Sequence, residues 1–469
     1  MRLLAHNSFA KFLFIFFWFF FIIRTISYID IEKNIFQFNL ENWFNFSFDL
    51  LSIFIFVILL IYLLYFILSN KKFPFSLILL FYPISGVLGY LNNIELHSNN
   101  FYIWHHFITL TSIIIFLTII NSYKIFNFQF HVLLLKILIF FFLVYFFLNL
   151  LPIIIFKIYN NLDLRHTYEG KIFLLNFINI SISQNVNGQA RILFILQLFF
   201  LIIFQKYTNK KKIISNIFFY TSTLLLFIIF LMQSRFIIAA SCIFFFFIII
   251  YNYSLSLKKK LFYIFFLIIT ITSAATVTKS ERILNVNNEK FLNDKIGNYN
   301  IKDKIGNFNI YEDSQSLLYQ LYQCSFNNNV NKIDAFLSGR VCGWEILIKN
   351  LNNDLLFGKG FLADQILLRS IEKISSNSWI NILFNSGVLS LIIILLFVTA
   401  ILFKHFKIKN IHHQNIYICL SHYLVIFILC RSLLEDTIVF LNIDLMIIII
   451  SLLIMKNSNK ELLLYYKNK

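Results

Sequence analysis

Charged residues are scarce in this sequence. Asp, Glu, Lys and Arg make up 13% of the 469 residues, whereas 59% are hydrophobic and 19% are aromatic. Because a typical soluble domain is roughly 25% charged, this composition excludes an ordinary soluble enzyme or binding domain. Long apolar runs separated by polar intervals predict instead an all-α polytopic membrane protein, since a helix needs about 20 apolar residues to cross the hydrocarbon layer.

Several chemical signatures are also missing. The sequence has no Gly-rich nucleotide loop, no nucleic-acid-binding module and no His, Cys and carboxylate cluster with metal-site spacing. We therefore expect no metal, nucleotide or other cofactor and no nucleic-acid partner. Of the five cysteines, Cys324 and Cys342 share one polar segment. They would form a disulfide only if that segment faces an oxidising compartment, and both states stay open.

Twelve apolar runs predict about twelve membrane spans. They lie near residues 12–23, 47–68, 74–91, 101–120, 132–156, 190–206, 213–232, 236–252, 260–276, 379–403, 415–430 and 437–455. The predicted organisation is spans 1–9 in residues 1–276, a large periplasmic loop with short helices in 277–378, and spans 10–12 with a cytoplasmic tail in 379–469.

Positive and negative charges alternate between the predicted loops. Lysines cluster in the short loops of one set, such as 206–212 and 258–260, while the longer loops of the other set carry most of the acids. By the positive-inside bias, both termini are cytoplasmic and the loop between spans 9 and 10 is external. The net charge of +18 then reflects topology and not nucleic-acid binding.

The most informative polar stretch runs from Ser338 to Ser386. Ser338 and Gly339 favour a helix start, and apolar residues then recur at helical spacing and predict one packed face. These residues are Trp344, Leu347, Ile348 and Leu351. Arg340 falls near the helix N-terminus, where free N–H groups favour anions. It either binds an anion, or the segment is a surface helix that packs its Trp on the protein beneath.

Four arginines are predicted on the external face. They are Arg191, Arg235, Arg340 and Arg431. Ionisable groups at a membrane edge are costly unless they have a partner or a function, and guanidinium groups on one face suit a polyanionic ligand at the outer leaflet. The alternative is snorkelling to the interface or pairing with nearby carboxylates, which for Arg431 would be Glu435 and Asp436.

Four motifs follow one another in the second half of the chain. They are Gln-Ser-Arg-Phe-Ile-Ile-Ala-Ala at 233–240, Ser-Gly-Arg…Trp at 338–344, Leu-Phe-Gly-Lys-Gly-Phe at 356–361 and Asn-Ser-Trp-Ile-Asn-Ile-Leu-Phe-Asn-Ser-Gly at 377–387. Their order resembles the O-antigen polymerase and O-antigen ligase family of bacterial envelope polysaccharide assembly. The predicted architecture is similar as well, with about twelve spans and a large external loop after the ninth.

This resemblance implies a metal-independent integral-membrane glycosyltransferase of the bacterial inner membrane. Such an enzyme transfers a glycan from undecaprenyl pyrophosphate to an acceptor sugar hydroxyl at the periplasmic face. The resemblance makes Arg235 and Arg340 the catalytic clamp on the pyrophosphate. The implied substrate-binding residues are Arg191, Ser338, Gly339, Trp344, Asn377, Arg431 and Glu435. Expected partners are the lipid-linked oligosaccharide and the bilayer, with a chain-length regulator as a further candidate.

The sequence departs from the ligase branch at one place. Ligases carry a His just before the Asn-Ser motif, where this chain has Ser375 and Ser376, so the resemblance favours a polymerase over a ligase. The acceptor-activating base stays open among Glu345, Asp364, Glu372 and Glu435. A flippase or transporter of a lipid-linked sugar is the third hypothesis, although the sequence has no clear internal repeat of the kind common in transporters.

Overall fold

A computed structural model describes most of the chain. The described residues are 7–26, 40–70, 74–94, 100–123, 125–152, 154–155, 186–208, 211–232, 234–252, 255–295, 340–351, 354–369, 377–405, 415–435 and 443–467. Within them, every regular element is helical and no β-strand is present.

Fourteen α-helices lie in this part of the chain. They are α1 (Asn7–Ile26), α2 (Leu40–Asn70), α3 (Phe81–Asn92), α4 (Asn100–Ser122), α5 (Phe128–Tyr145), α6 (Val186–Tyr207), α7 (Lys212–Leu231), α8 (Arg235–Ile250), α9 (Leu257–Lys295), α10 (Arg340–Lys349), α11 (Ala363–Arg369), α12 (Ser378–His405), α13 (Ile416–Ser432) and α14 (Ile443–Lys467). A 3₁₀ segment (Phe75–Leu80) precedes α3, and a π-helical turn (Phe146–Leu150) follows α5.

Among the described residues, six helices are long and apolar enough to cross a membrane. They contain Asp49–Ser69, Phe128–Leu148, Gly188–Tyr207, Lys212–Leu231, Leu257–Val277 and Ser378–Ala400. Shorter apolar helices occupy Ser8–Ile23, Ser76–Asn92, Phe107–Ser122, Arg235–Ile250 and Ile416–Ser432. The chain is thus an all-α membrane protein. Each of the twelve predicted spans overlaps one of these segments or α14, and the number of crossings remains a prediction.

The predicted external loop is partly helical where the structure describes it. Helix α9 does not end with its apolar run but continues to Lys295, 18 residues beyond Val277. Two short helices, α10 and α11, occupy the later part of the loop. Short helices were predicted in this loop, whereas the continuation of α9 was not.

An aromatic core joins α1, α4 and α5. The fully buried Trp18 donates its indole N–H to the carbonyl oxygen of Leu134 (2.9 Å). Its ring also stacks on Phe116, with centroids 5.9 Å apart. A buried indole needs such an acceptor, so the hydrogen bond fixes α1 on α5 while the stacking holds α4 beside them.

A second aromatic contact aligns α6, α8 and α13. The ring of Phe427 lies between those of Phe194 (4.1 Å between centroids) and Phe236 (6.1 Å). Each of the three rings is within four residues of an arginine. Because a helix rises about 1.5 Å per residue, each arginine lies within about 6 Å of its ring along the helix axis. The three arginines therefore lie at the same end of the bundle. They are Arg191, Arg235 and Arg431. We call this the arginine end.

The opposite end of the bundle holds lysines. Lys456 near the end of the apolar part of α14 donates to Asn121 Oδ1 of α4 (2.7 Å). The next residue, Asn457, lies 3.1 Å from His131 Nδ1 of α5. We call this the lysine end. The separation of arginines from lysines along the bundle agrees with the predicted alternation of loops, while the cytoplasmic location of the lysine end remains a prediction.

Helix α12 is broken at Gly387. This residue has φ 77° and ψ 177°, a conformation that favours glycine. Because of the break, carbonyl groups of the preceding turn accept no hydrogen bond from later N–H groups of α12. An unsatisfied carbonyl group is costly within an apolar bundle. On the far side of the break, the N–H of Val388 donates to the carbonyl of Leu355 (2.8 Å).

Groups from outside α12 satisfy these carbonyls. The pairs are Phe384 O with Lys359 N (2.7 Å), Asn385 O with Gly360 N (3.0 Å) and Ser386 O with Ser85 Oγ (2.6 Å). The residues 354–362, which carry the Gly-Lys-Gly motif, therefore pack against the break. We call this segment the inserted turn.

Glycines of α3 make room for the inserted turn. A Cβ atom on Gly89 would lie 2.6 Å from the carbonyl oxygen of Phe357, and one on Gly86 would lie 2.6 Å from the ring of Phe361. Any larger side chain at either position would push the turn away from α3. The motif predicted from sequence as an external turn is thus held between α3 and α12.

The predicted packing face of α10 is partly wrong. Leu347 and Leu351 are buried as predicted, but Ile348 is 52% exposed and Ile346 is buried in its place. The reason is that α10 packs on α11 and on the first half of α12, where its buried side chains meet Leu368 and Phe384. This contact rotates the buried face away from Ile348.

The break in α12 leads to a first prediction. Gly387→Ala should lower the free energy of unfolding by about 3 kcal/mol or more, because the left-handed backbone is strained for alanine and the new Cβ would lie 2.0 Å from Leu356 O. Thermal unfolding in detergent measures this.

The matched control is Gly343→Ala, whose Cβ would lie 3.8 Å from Leu368 Cδ1, an ordinary van der Waals contact. This substitution should leave stability unchanged or raise it, because alanine favours the helix. Equal unfolding temperatures for the two variants would contradict the inference that the break in α12 requires glycine at position 387.

Candidate functional site

A buried carboxylate joins three helices at the arginine end. Asp444, in the first turn of α14, is fully buried and accepts hydrogen bonds from Arg191 Nη1 of α6 (2.9 Å) and Arg431 Nη1 of α13 (2.6 Å). The two arginines are only 5% and 4% exposed. One carboxylate therefore holds two guanidinium groups from different helices.

A second carboxylate completes this arrangement. Glu435 Oε2 accepts from Arg431 Nε (2.8 Å) and also from Arg431 Nη2. Two positive and two negative groups thus lie together in the bundle. Burying an ion costs several kcal/mol unless it is paired and hydrogen-bonded, so each member depends on the others. We call Arg191, Arg431, Glu435 and Asp444 the buried charge network.

The network bears on two of the predicted ligand-binding arginines. Arg191 and Arg431 are buried and paired with carboxylates, which supports the structural alternative for both. The predicted pairing of Arg431 with Glu435 is confirmed, whereas Asp436 lies outside the described residues. A contact of either arginine with substrate stays a prediction.

The turn Leu433–Glu435, which directly follows α13, gathers side chains from two distant segments. Its carbonyl groups accept hydrogen bonds from Arg340 Nη1, Asn377 Nδ2 and Ser378 Oγ. The acceptors are Leu434 O (2.5 Å), Leu433 O (2.9 Å) and Glu435 O (2.8 Å). These carbonyls lie just beyond the C-terminal end of α13, and the negative end of a helix favours a cation such as Arg340. Three predicted segments therefore meet at one turn.

Asn377 connects this turn to α12. While its Nδ2 binds α13, its Oδ1 accepts from the N–H groups of Trp379 (2.9 Å) and Ile380 (3.2 Å). It is thus the N-cap of α12. The amide side chain suits this position because it can donate and accept at the same time.

Arg340 is the first residue of α10 and is half-buried. The bond to Leu434 uses one of its five N–H donors. Its other donors make no hydrogen bond to the residues that the structure describes. Trp344, one turn further along α10, is also half-buried. Arg340 is therefore oriented by α13 and still has donors that can bind a ligand.

Arg235 begins α8 directly after a short turn from α7 and is exposed. The neighbouring Phe236 stacks on Phe427, one helical turn from Arg431. Arg235 therefore lies at the arginine end but on the accessible surface, unlike the arginines of the buried charge network.

The candidate bases differ in their surroundings. Glu345 is exposed on α10, and Asp364 is fully buried beside the inserted turn, where its Oδ1 accepts from Asn385 Nδ2 (2.8 Å). Glu435 is held by Arg431 beside the carbonyl that orients Arg340. Of these three, Glu435 belongs to the turn where the predicted segments meet.

Some predicted residues lie outside the described part of the chain. They are Ser338, Gly339, Glu372 and Cys324, together with the side chain of Cys342. The substrate-binding roles of Ser338 and Gly339 and the disulfide therefore stay predictions. Among the described residues, no group of three or more His, Cys, Asp or Glu side chains could hold a metal ion.

Sequence reasoning missed two residues of this site. Asp444 was not singled out, although an acid in the apolar run Ile443–Met455 is the expected sign of a buried partner for a cation. Ser378 was quoted within the Asn-Ser motif but given no role, and its hydroxyl binds Glu435 O.

The comparisons with known proteins add no relative to this description. No protein-family model matches the chain, and neither curated proteins nor solved structures yield a match. What the structure defines is the class: an all-α membrane protein with a buried charge network and two accessible or half-buried arginines at one end.

The buried charge network yields a second prediction. Asp444→Asn should lower the free energy of unfolding by about 3–5 kcal/mol, because it leaves two buried guanidinium groups short of one negative charge. Thermal or denaturant unfolding of the purified protein measures the loss.

The same substitution at a more exposed ion pair is the control. Asp354 pairs with Lys359, and both side chains are about one-fifth exposed, so water can solvate the remaining cation and Asp354→Asn should cost less than Asp444→Asn. If Asp444→Asn is as stable as Asp354→Asn, the network does not hold the helices together.

Proposed function

We propose that this protein is a membrane glycosyltransferase that polymerises O-antigen or a related surface polysaccharide. Its substrates would be repeat units carried on undecaprenyl pyrophosphate. The observation that carries this proposal is the meeting of Arg340, the Asn377–Ser378 pair and the Arg431–Glu435 turn at one place. These segments include two of the motifs on which the family resemblance depends.

The surroundings of the arginines support a division of roles. Arg191 and Arg431 are neutralised by carboxylates and shape the end of α13. Arg235 and Arg340 are more accessible and would bind the pyrophosphate. Transfer releases undecaprenyl pyrophosphate, so cationic donors held near the leaving oxygen would stabilise the charge that develops on it. Arg340 is suited to this because Leu434 O already fixes its orientation.

Glu435 is our choice for the group that activates the acceptor. One of its oxygens is held by Arg431, and 9% of its side chain remains accessible. In the proposed step, the acceptor hydroxyl gives its proton to Glu435 as its oxygen bonds to the anomeric carbon. The bond between that carbon and the pyrophosphate oxygen breaks at the same time, and the pyrophosphate keeps the electron pair.

The proposed location follows from the charges of the loops. With the lysine end in the cytoplasm, the arginine end faces the periplasm, where the lipid-linked units would be presented in the outer leaflet of the inner membrane. Both termini would be cytoplasmic. A chain-length regulator would have to approach from the arginine end or from the surrounding bilayer.

A transporter or flippase of a lipid-linked sugar is the second candidate. The broken helix α12 favours it, because discontinuous helices within the membrane are typical of transporter binding sites. A ligase would use the same chemistry and differ in its acceptor, a lipid A-core sugar in place of another repeat unit.

The third prediction tests the proposed clamp. Purified protein in nanodiscs, supplied with undecaprenyl-pyrophosphate-linked repeat units, should make a ladder of chain lengths on a gel. Arg340→Ala and Arg235→Ala should each slow chain growth by about 10²–10³, since each removes a donor to the leaving group. Lys349→Ala, which removes an exposed cation from the same helix as Arg340, should grow chains normally.

Each other result points to a different conclusion. Normal ladders from both arginine variants would refute the clamp. Transfer only after addition of a lipid A-core acceptor would identify a ligase. Movement of the lipid-linked unit across a vesicle membrane without any transfer would identify a transporter.

A further inference from the structure

A lysine projects from the lipid-facing side of α5. Lys136 lies within the apolar segment Phe128–Leu148 and is exposed. Leu133 and Phe140, three residues before it and four after it, are 39% and 67% exposed. Residues at this spacing share one face of a helix. Lys136 is therefore a cation on an apolar stripe that faces the surroundings of the bundle.

Its ammonium group is directed towards the lysine end. Helix α5 begins at that end, where His131 meets Asn457. Lys136 is five residues further into the bundle, about 8 Å along the axis. Its Nζ lies 5.1 Å from the ring centroid of Tyr417, the second residue of α13. A long side chain that reaches back to the membrane interface in this way is snorkelling.

A second lysine lies on the neighbouring helix α6. Tyr417 also packs on Phe199 of α6 (6.4 Å between centroids), and α6 ends with the exposed Lys206 in its last turn. Helices α5 and α6 both contact Tyr417, through Lys136 and Phe199. Each of these two helices therefore carries an exposed lysine towards the lysine end, beside the start of α13.

The ring alone is a weak partner for a cation at this depth. An aromatic face offers a partial negative charge, whereas an ammonium near hydrocarbon needs an anion or bulk water. Among the described residues, no carboxylate forms an ion pair with Lys136. The anion that a bilayer supplies at this level is the phosphate of a phospholipid, and basic pockets between membrane helices on the cytoplasmic side bind such headgroups.

We propose that Lys136, Tyr417 and Lys206 bind the headgroup of an anionic phospholipid in the leaflet at the lysine end. The phosphate would contact both ammonium groups, and the acyl chains would lie along the exposed stripe of Leu133 and Phe140. This site is at the opposite end of the bundle from the arginines and does not depend on the proposed polymerase activity.

The test compares lipid binding by the full-length protein and its variants. Native mass spectrometry, with phosphatidylglycerol or phosphatidylcholine added to the detergent-solubilised protein, counts the bound lipids. Lys136→Gln should bind phosphatidylglycerol about fivefold more weakly, as expected for the loss of one lysine near an anionic headgroup. Lys136→Arg keeps the charge and should bind normally, and phosphatidylcholine should bind all forms weakly.

The control is Lys258→Gln, which removes an exposed lysine at the start of α9. It should bind phosphatidylglycerol as the unaltered protein does. An unchanged affinity in Lys136→Gln would overturn the proposal. It would also be overturned if Lys136→Gln lowered the oligomeric mass without changing lipid binding, because the lysine would then contact a second copy of the chain.

Discussion

The pairing of Asp444 with two arginines is the interaction on which the arginine end depends. The carboxylate is fully buried and binds guanidinium groups from α6 and α13. In a medium of low dielectric constant, each charge is stable only while its partners stay in place. The position of Arg431 then fixes the turn Leu433–Glu435 after α13, and that turn supplies the carbonyls to which Arg340, Asn377 and Ser378 bind. A change at Asp444 would therefore reach these three residues.

The first half of α12 is held at both of its ends. At its start, Asn377 and Ser378 donate to α13, and at its end, the carbonyls before Gly387 accept from the inserted turn and from Ser85. This half-helix spans about 13 Å at 1.5 Å per residue. Anchoring at both ends leaves it little freedom to tilt, which suits a site whose donors must be in position before the substrate arrives.

The sequence predicted the helices much better than the site. Apolar runs place a helix at each predicted span because burial in a membrane leaves a continuous hydropathy signal. The pair Arg431 and Glu435 was also predictable, since residues four apart share a helix face. The partnership of Arg191 with Asp444 was not, because the residues are 253 positions apart and their contact depends on how α6 and α14 pack.

The inserted turn was unpredictable for a similar reason. Its Gly-Lys-Gly sequence is typical of a turn, and its packing between α3 and α12 requires the glycines of α3 and the break in α12, which lie elsewhere in the chain. The wrong prediction that Ile348 is buried on α10 also comes from contacts with distant parts of the chain. Helical spacing identifies the apolar residues of α10 but cannot tell which of two adjacent stripes will meet α11 and α12.

The inserted turn also bears on the choice between enzyme and transporter. In a transporter, a broken helix exposes backbone groups that bind the cargo or its coupling ion. Here the carbonyls of Phe384, Asn385 and Ser386 already accept hydrogen bonds from the protein itself. Binding a cargo at the break would first require the turn to leave, and with it the contacts on α3. The carbonyl groups at the break thus already have hydrogen-bond partners within the protein. The N–H donors of Arg340 that can bind a ligand lie elsewhere, beside the end of α13. This distribution of used and available groups supports chemistry at a fixed site more than movement at the break.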